Sequence, residues 1–334
     1  MTAKAKIVGT GSYLPTKILT NQHLEQMVET SDEWIVTRTG IQERRIASPE
    51  EYTSSMGVRA SLLALEDAKL TPDDIDCIIV ATLTPDYPFP STACLIQKEI
   101  GAKRASAFDI QAACSGYLYA LSLAKAQVET GMCKNVLVVA AEKLSSITDY
   151  QDRSTCVLFG DGASAAIISS EGSGLSIESV RLGADGELAD LLSMPGGGCR
   201  NPASLSTIEQ RQHFIKMCGN EVFKHAVRRM ESACKECLEI LGLEELEISW
   251  VVPHQANSRI IDAIAKRFVH LPEERVYKTV HKYGNTSASS LGIALDELLR
   301  NHPVKVNERL LLTAFGAGLT WGAAVLRAEG EKFA

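Results

Sequence analysis

Thr71-Pro-Asp-Asp-Ile-Asp-Cys77 runs into the apolar tetrad Ile78-Ile-Val-Ala81, and far downstream Glu244-Glu-Leu-Glu-Ile-Ser249 runs into Trp250-Val-Val-Pro253. Both tetrads are short, rich in β-branched residues and bounded by polar ones, the pattern of buried strands. Each follows an amphipathic stretch that reads as a helix, Ser54 to Lys69 in the first case and Asn220 to Leu241 in the second. The register persists. Ile79 to Val251 spans 172 residues, Leu137 in Asn135-Val-Leu-Val-Val-Ala140 to Leu310 in Arg309-Leu-Leu-Leu-Thr-Ala314 spans 173, and Cys114 plus 172 falls on Thr286, beside Asn285. So long a correspondence predicts a duplicated α/β unit, residues 1–172 and 173–334, with parallel or mixed sheets covered by helices. Between the tetrads, Glu171 to Ser206 is rich in Gly and Ser, includes Pro195-Gly-Gly-Gly-Cys199, and reads as a connection with surface loops.

The whole chain fits that frame. With 334 residues, 45% of them hydrophobic and 22% charged, it can bury a large core. Lys plus Arg (34) against Asp plus Glu (41) gives −7, which argues against a nucleic-acid surface. No run of 18 apolar residues is long enough to span a bilayer, and charges break up the opening Met-Thr-Ala-Lys-Ala-Lys where a secretory leader would be apolar. Nine cysteines at irregular spacings read as reduced thiols, so the expected compartment is the cytoplasm.

Chemistry can sit where the repeated strands end. In Ser106-Ala-Phe-Asp-Ile-Gln-Ala-Ala-Cys114-Ser-Gly-Tyr-Leu-Tyr-Ala-Leu121, a strand passes through small residues to a cysteine and then a helical pattern. A helix N-terminus at Cys114 would lower its thiol pKa, although a cysteine among small residues is also an ordinary core residue. His254 ends the strand Trp250–Pro253, and ligands in open α/β folds gather at the carboxyl ends of strands. Asn285, in Tyr283-Gly-Asn-Thr-Ser287, matches Cys114 in the repeat; it could cap a helix or face the sulfur as a neutral donor. In Ala314-Phe-Gly316-Ala-Gly318, a glycine could bring a backbone N–H to a ligand oxygen, or merely form a bulge. Two weaker motifs are set aside. Cys234-Lys-Glu-Cys237 has no second ligand pair and lies in a helical pattern, so no metal is expected. Gly9-Thr-Gly11 has Leu14 where a dinucleotide fingerprint needs its third glycine.

Taken together, the ordered segments resemble the β-ketoacyl-acyl-carrier-protein synthase III family, within the thiolase superfamily. They are Thr30-Ser-Asp-Glu-Trp34-Ile-Val-Thr-Arg38, the Cys114 segment, Asp152-Arg153 with Phe159-Gly-Asp-Gly162, Gly219-Asn220-Glu-Val-Phe-Lys224, Pro253-His254-Gln-Ala-Asn257, Tyr283-Gly-Asn285 and Phe315-Gly316-Ala-Gly318. Ala317 departs from the family, many members of which have a third glycine there.

The resemblance implies a five-layered αβαβα fold, a homodimer and a Cys114–His254–Asn285 triad, with the N–H groups of Cys114 and Gly316 as an oxyanion hole. It implies a decarboxylative condensation of acetyl-CoA with malonyl-acyl-carrier protein through an acetyl-Cys114 intermediate, with acetyl-CoA a substrate and no metal or other cofactor. By the same resemblance, Thr30, Trp34, Arg38, Arg153, Asn220 and Asn257 would contact CoA, and Phe89 would bound the primer pocket from across the dimer. Lys224, Gln255, Ala256, Asn257, Ser258, Arg259, Lys266 and Arg267 would face the carrier protein. Three other readings stay open: a cysteine hydrolase, a non-catalytic CoA or acyl-binding protein on the same scaffold, and a relative that uses another primer or makes a polyketide.

Overall fold

The computed structural model describes residues 4–333. Nine strands carry the architecture: β1 (Lys6–Tyr13), β2 (Cys77–Ala81), β3 (Ser106–Ile110), β4 (Asn135–Lys143), β5 (Asp161–Ser169), β6 (Gly174–Ala184), β7 (Trp250–Pro253), β8 (Arg309–Gly316) and β9 (Thr320–Glu329). The helices packed on them are α1 (Thr53–Ala68), α2 (Thr92–Ile100), α3 (Gly116–Glu129), α4 (Gly219–Leu241), α5 (Ser258–Ala265) and α6 (Ser289–Asn301). The strand order is β3-β2-β4-β5-β1-β6-β9-β8-β7.

The duplication is visible in the pairing. In the first half β2 and β4 are parallel, and β5 and β1 follow antiparallel. In the second half β7 and β8 are parallel, and β9 and β6 follow antiparallel. β3 lies parallel outside β2, and its counterpart in the second half is reduced to one parallel bridge, Val251 with Val276. The halves join where Lys6 faces Ser176 and Ile7 faces Leu175.

Alternation along the strands divides the interior into three cores. Ile79, Val138, Val252 and Leu312 face the central helices α3 and α6, whose Leu118, Leu121, Leu291 and Leu295 fill the middle of the molecule. Their sequence neighbours Ile78, Val80, Leu137 and Val139 face outward to Met56 and Ala64 of α1 and Ile96 of α2. In the second half Val251 and Leu311 face Met230 of α4 and Ile264 of α5. Strands buried on both faces are apolar throughout, which is why β2 and β4 show no alternation of polarity. The layers run α1/α2, sheet, α3/α6, sheet, α4/α5: the expected five-layered αβαβα fold. No helix among the described residues is long and apolar enough to cross a membrane.

One expectation is corrected. The segment read as a connection with surface loops contains β6, an eleven-residue central strand. Its glycine and serines, which suggest a loop, serve close packing. A side chain on Gly174 would lie 2.0 Å from the Ile7 carbonyl, and Ser176 and Ser179 are buried. Gly9 and Gly11 have the same purpose. A Cβ on either would lie 2.5 Å from a carbonyl of α1, so these glycines let α1 rest directly on β1. Gly11→Ala must push α1 off the sheet and is expected to cost about 1–3 kcal/mol in urea unfolding, with activity of the folded fraction retained.

Candidate active site

β3 ends at Ile110, and the chain turns through Gln111-Ala112-Ala113 to Cys114. Ala113 holds φ +44°, a left-handed conformation that makes the turn abrupt. The Ala112 carbonyl accepts from Thr320 Oγ1 at 2.9 Å and from the Ser115 N–H at 3.1 Å, which ties the turn to β9 and to the start of α3. Cys114 is buried, in a 3₁₀ turn before Gly116 opens α3. Gly316 abuts it: a Cβ there would sit 2.6 Å from the Cys114 nitrogen and 3.1 Å from the Ser115 nitrogen. Ala317 is not among the positive-φ residues, so its methyl group causes no backbone strain.

His254 continues β7, donating its N–H to the Thr313 carbonyl at 2.8 Å. Its Nδ1 lies 2.6 Å from Ser290 Oγ, and that same oxygen accepts the Gln255 N–H at 3.2 Å. Gln255 engages one lone pair of that oxygen, which leaves the hydroxyl hydrogen and the second lone pair for Nδ1. When Ser290 donates to Nδ1, the imidazole hydrogen sits on Nε2, as a donor toward the cavity. Burial pushes the imidazole pKa down to about 3, so the ring is neutral at physiological pH.

Asn285 is pinned by its backbone, which donates to Leu158 O at 2.8 Å and accepts from the Gly160 N–H at 3.0 Å. Its Oδ1 accepts from the Ser287 N–H at 2.8 Å, which turns the amide NH2 toward open space. Gly284 before it has φ +65°, and a Cβ there would lie 2.8 Å from the Leu158 carbonyl.

The sulfur lies where two cavities meet. One, of about 320 Å³, is lined by Cys114, His254, Asn285, Phe315 and Gly316 at its base and by Trp34, Arg38, Asn220, Asn257 and Arg259 toward its mouth. The other, of about 350 Å³, shares Cys114, Phe159 and Leu192 and continues past Ala112, Ser287 and Ala317. A thioester could thus lay its long arm in one cavity and its acyl group in the other.

The thiol itself departs from expectation. Burial pushes it up to about 12, against the opposing pull of hydrogen bonding from Ser287 and from its own N–H. The helix end does not win, because Ser115 and a 3₁₀ turn stand between the sulfur and the first α-helical turn. The resting site holds a neutral thiol beside a neutral imidazole.

Other predicted residues are placed unevenly. Arg153 lies 4.8 Å from the Trp34 ring centroid and Arg38 5.6 Å. A flat base between Trp34 and Arg153 needs two contacts of about 3.5–4.0 Å each, so Arg153 must swing away to admit one. Its Nη1 also donates to the Glu29 carbonyl at 3.0 Å. Thr30 keeps a buried hydroxyl without a hydrogen-bond partner among the described residues, and Asn257 caps α5 by accepting from the Arg259 N–H.

Gln255 is a correction: it is 1% exposed and cannot meet a protein partner. Its amide clamps the core, donating to Pro253 O and Tyr277 O and accepting from the N–H groups of Thr279 and Val280. Arg267 is already engaged, 2.8 Å from Glu245, and Lys224 is 2.7 Å from Glu221. Ser258 packs against Gly40, where a Cβ would lie 2.0 Å from its hydroxyl. Ala256 lines the main cavity, Arg259 and Lys266 are exposed, and Arg259 stacks over Phe223 at 5.2 Å. Phe89 is 84% exposed and lines neither cavity of its own chain. Cys234 and Cys237 pack in the core under α4. Sequence reading overlooked Ser290, which fixes the histidine, and Phe315 at the cavity base. It also overlooked Glu142, although a carboxylate ending the apolar run Val136–Ala141 is a visible anomaly.

Fold and site define a condensing acyltransferase of the thiolase type. The signature of 3-oxoacyl-[acyl-carrier-protein] synthase III matches residues 108–186, and that of its C-terminal part matches residues 238–328. The β-ketoacyl-[acyl-carrier-protein] synthase III of Chlamydia trachomatis is 62% identical over 97% of this chain and 99% of its own length. That of Caldanaerobacter subterraneus subsp. tengcongensis is 56% identical over 97% of each. The crystal structure of 3-oxoacyl-[acyl-carrier-protein] synthase III from Aquifex aeolicus superposes with a TM-score of 0.89 at 50% identity, covering 97% of this chain and 99% of that one. The chain belongs to the β-ketoacyl-acyl-carrier-protein synthase III family.

Gly316→Ala would force its methyl into the Cys114 N–H. If that N–H holds the oxyanion, acetyl transfer measured by single-turnover labelling of the folded fraction should fall about 10²–10³-fold, beyond the loss of stability that the clash brings.

Proposed function

We propose that the chain condenses acetyl-CoA with malonyl-acyl-carrier protein to give acetoacetyl-acyl-carrier protein, CO2 and CoA, starting fatty acid synthesis. Cys114 attacks the thioester of acetyl-CoA, the oxyanion is held by the N–H groups of Cys114 and Gly316, and CoA leaves. Malonyl-carrier protein then enters through the same cavity and loses CO2. The electron pair of the broken C–C bond forms an enolate whose oxygen takes hydrogen bonds from His254 Nε2–H and the Asn285 amide. The enolate carbon attacks the acetyl group, and Cys114 leaves.

The observation that carries this reading is the pairing of two neutral donors. A charged imidazolium could protonate the enolate carbon, whereas a neutral ring with a pKa near 3 can only stabilise its oxygen. Carbon dioxide release drives the step and its electron pair forms the new C–C bond, so the reaction needs one proton from solvent and calls on no metal or redox cofactor.

CoA lies with its adenine between Trp34 and a displaced Arg153, its phosphates near Arg38 and Thr30, and its pantetheine arm past Asn220 and Asn257. The enzyme works as a homodimer in the cytoplasm, a setting that suits its nine free cysteines. The unpaired outer edge of β3 and the exposed ring of Phe89 support such pairing, and Phe89 would bound the primer pocket of the partner subunit. Arg259 and Lys266, with Lys224, form the surface for the acidic carrier protein.

His254→Ala and Asn285→Ala should each accept radiolabelled acetyl on Cys114 yet lose about 10²-fold or more in decarboxylation of malonyl-carrier protein. In Cys114→Ala, decarboxylation should stay flat from pH 8 to pH 5.5, because His254 protonates only near 3; a decline centred near the ordinary histidine pKa of about 6.5 would contradict the neutral-donor role.

Reversing Arg259 to Glu should raise KM for malonyl-carrier protein about tenfold while barely altering acetyl-CoA priming. Equal losses in the two half-reactions would remove Arg259 from the docking surface.

A further inference from the structure

Loading requires the Cys114 thiol to surrender a proton, and the buried, neutral His254 is a poor place to put it. The second cavity offers another. Ser287 lines it together with Cys114, and Ser287 is 1% exposed with its backbone held at φ +52°. Its hydroxyl has no settled partner. Beyond it, at the end of β4, lies Glu142, with no exposed surface at all.

The two oxygens of that carboxyl are treated differently. Oε2 is saturated, accepting from Thr84 Oγ1 at 2.8 Å, Leu83 N–H at 3.1 Å and Thr82 Oγ1 at 3.2 Å. Oε1 has no partner. The Ser287 hydroxyl lies near both the Cys114 thiol and the Glu142 carboxyl, close enough to pull both pKa values down, and forms a full hydrogen bond with neither in the resting structure. Three donors fix the carboxyl so that its free oxygen is left for Ser287. Lys143, next along the strand, turns away to the Ser48 and Glu51 carbonyls.

We propose that Ser287 and Glu142 form a proton store for Cys114, Ser287 touching the sulfur and Glu142 acting through it as a positioning residue. This rests on the acyl-transfer reading above. In loading, the S–H bond of Cys114 breaks and its proton passes to Ser287 Oγ, while the Ser287 proton passes to Glu142 Oε1. The sulfur lone pair bonds to the acetyl carbon, the C–S bond to CoA breaks, and the CoA thiolate takes a proton from water. In condensation Cys114 leaves as thiolate and recovers its proton from Glu142 through Ser287. Over the cycle one solvent proton is consumed, as the overall reaction requires. Burial raises Glu142 to about 7, so a small change of charge at the sulfur can tip it either way.

The test is single-turnover transfer of radiolabelled acetyl from acetyl-CoA to Cys114 in the full chain. Glu142→Gln keeps the shape and an acceptor for the three donors but removes the base. It is expected to slow acetylation about 10²-fold, Ser287→Ala to do the same, and the double variant to be no slower than either. In the wild type, acetylation should fall as the pH drops through about 7, and Glu142→Gln should lack that limb. Acetylation of Glu142→Gln at the wild-type rate, additive losses in the double variant, or a persistent limb would each overturn the proposal. Should Glu142→Gln fail to fold, Ser287→Ala and Ser287→Gly decide it, since normal acetylation in both would overturn it. Failure of the wild-type protein to take acetyl at all would instead remove the acyl-transfer reading itself.

Discussion

The site depends on a contact to which one residue brings no side chain. The N-terminus of α3 meets that of α6 through Gly116, where a Cβ would lie 2.9 Å from Ala81 and 3.2 Å from Ala288. Any larger residue would prise apart the two halves of the molecule, because interiors this dense cannot absorb a methyl group without moving backbone. Two turns, Ala112–Ser115 and Gly284–Ser287, are thereby pressed against each other, and residues from distant parts of the chain share one cavity. Gly316 repeats the same device at the end of β8, leaving room only for the N–H of Cys114.

Depth then sets the electrostatics. Cys114, His254 and Glu142 are all fully enclosed, and burial moves each toward its uncharged form: the thiol up, the imidazole down, the carboxyl up. A buried site of neutral donors suits chemistry in which charge appears only transiently, on an enolate or a tetrahedral oxygen. It also makes proton placement a structural matter. Ser290 holds the imidazole through Nδ1, and the Ser287 N–H decides which way the Asn285 amide points. Two serines of one short segment therefore orient the groups that define the chemistry.

The surface around the cavity mouth is more economical than its sequence suggests. Of the four basic residues expected to face the carrier protein, Arg267 and Lys224 already have carboxylate partners, which leaves Arg259 and Lys266 as the freer charges. Exposed ion pairs contribute little to stability, so an acidic partner can compete for them at small cost. Trp34 is likewise occupied by Arg153 and Arg38. Aromatic and cationic groups held together in this way keep an apolar ring covered until a flat ligand replaces one of them.

The amino-acid sequence by itself determined the duplicated α/β architecture. Buried strands must be short and apolar, covering helices must be amphipathic, and both patterns recur at a constant interval. It also pointed to Cys114, His254, Asn285 and Gly316, because strand ends and tight turns leave signatures in residue size. It misread Gly174–Ala184, since glycine and serine signal a loop and a close strand contact alike. Only the tertiary structure decided the charge states, the inward turn of Gln255, and the burial of Glu142 with one carboxylate oxygen unpartnered. Those properties arise from burial and from partners beyond the reach of any helix or strand repeat, and one-dimensional periodicity carries no record of either.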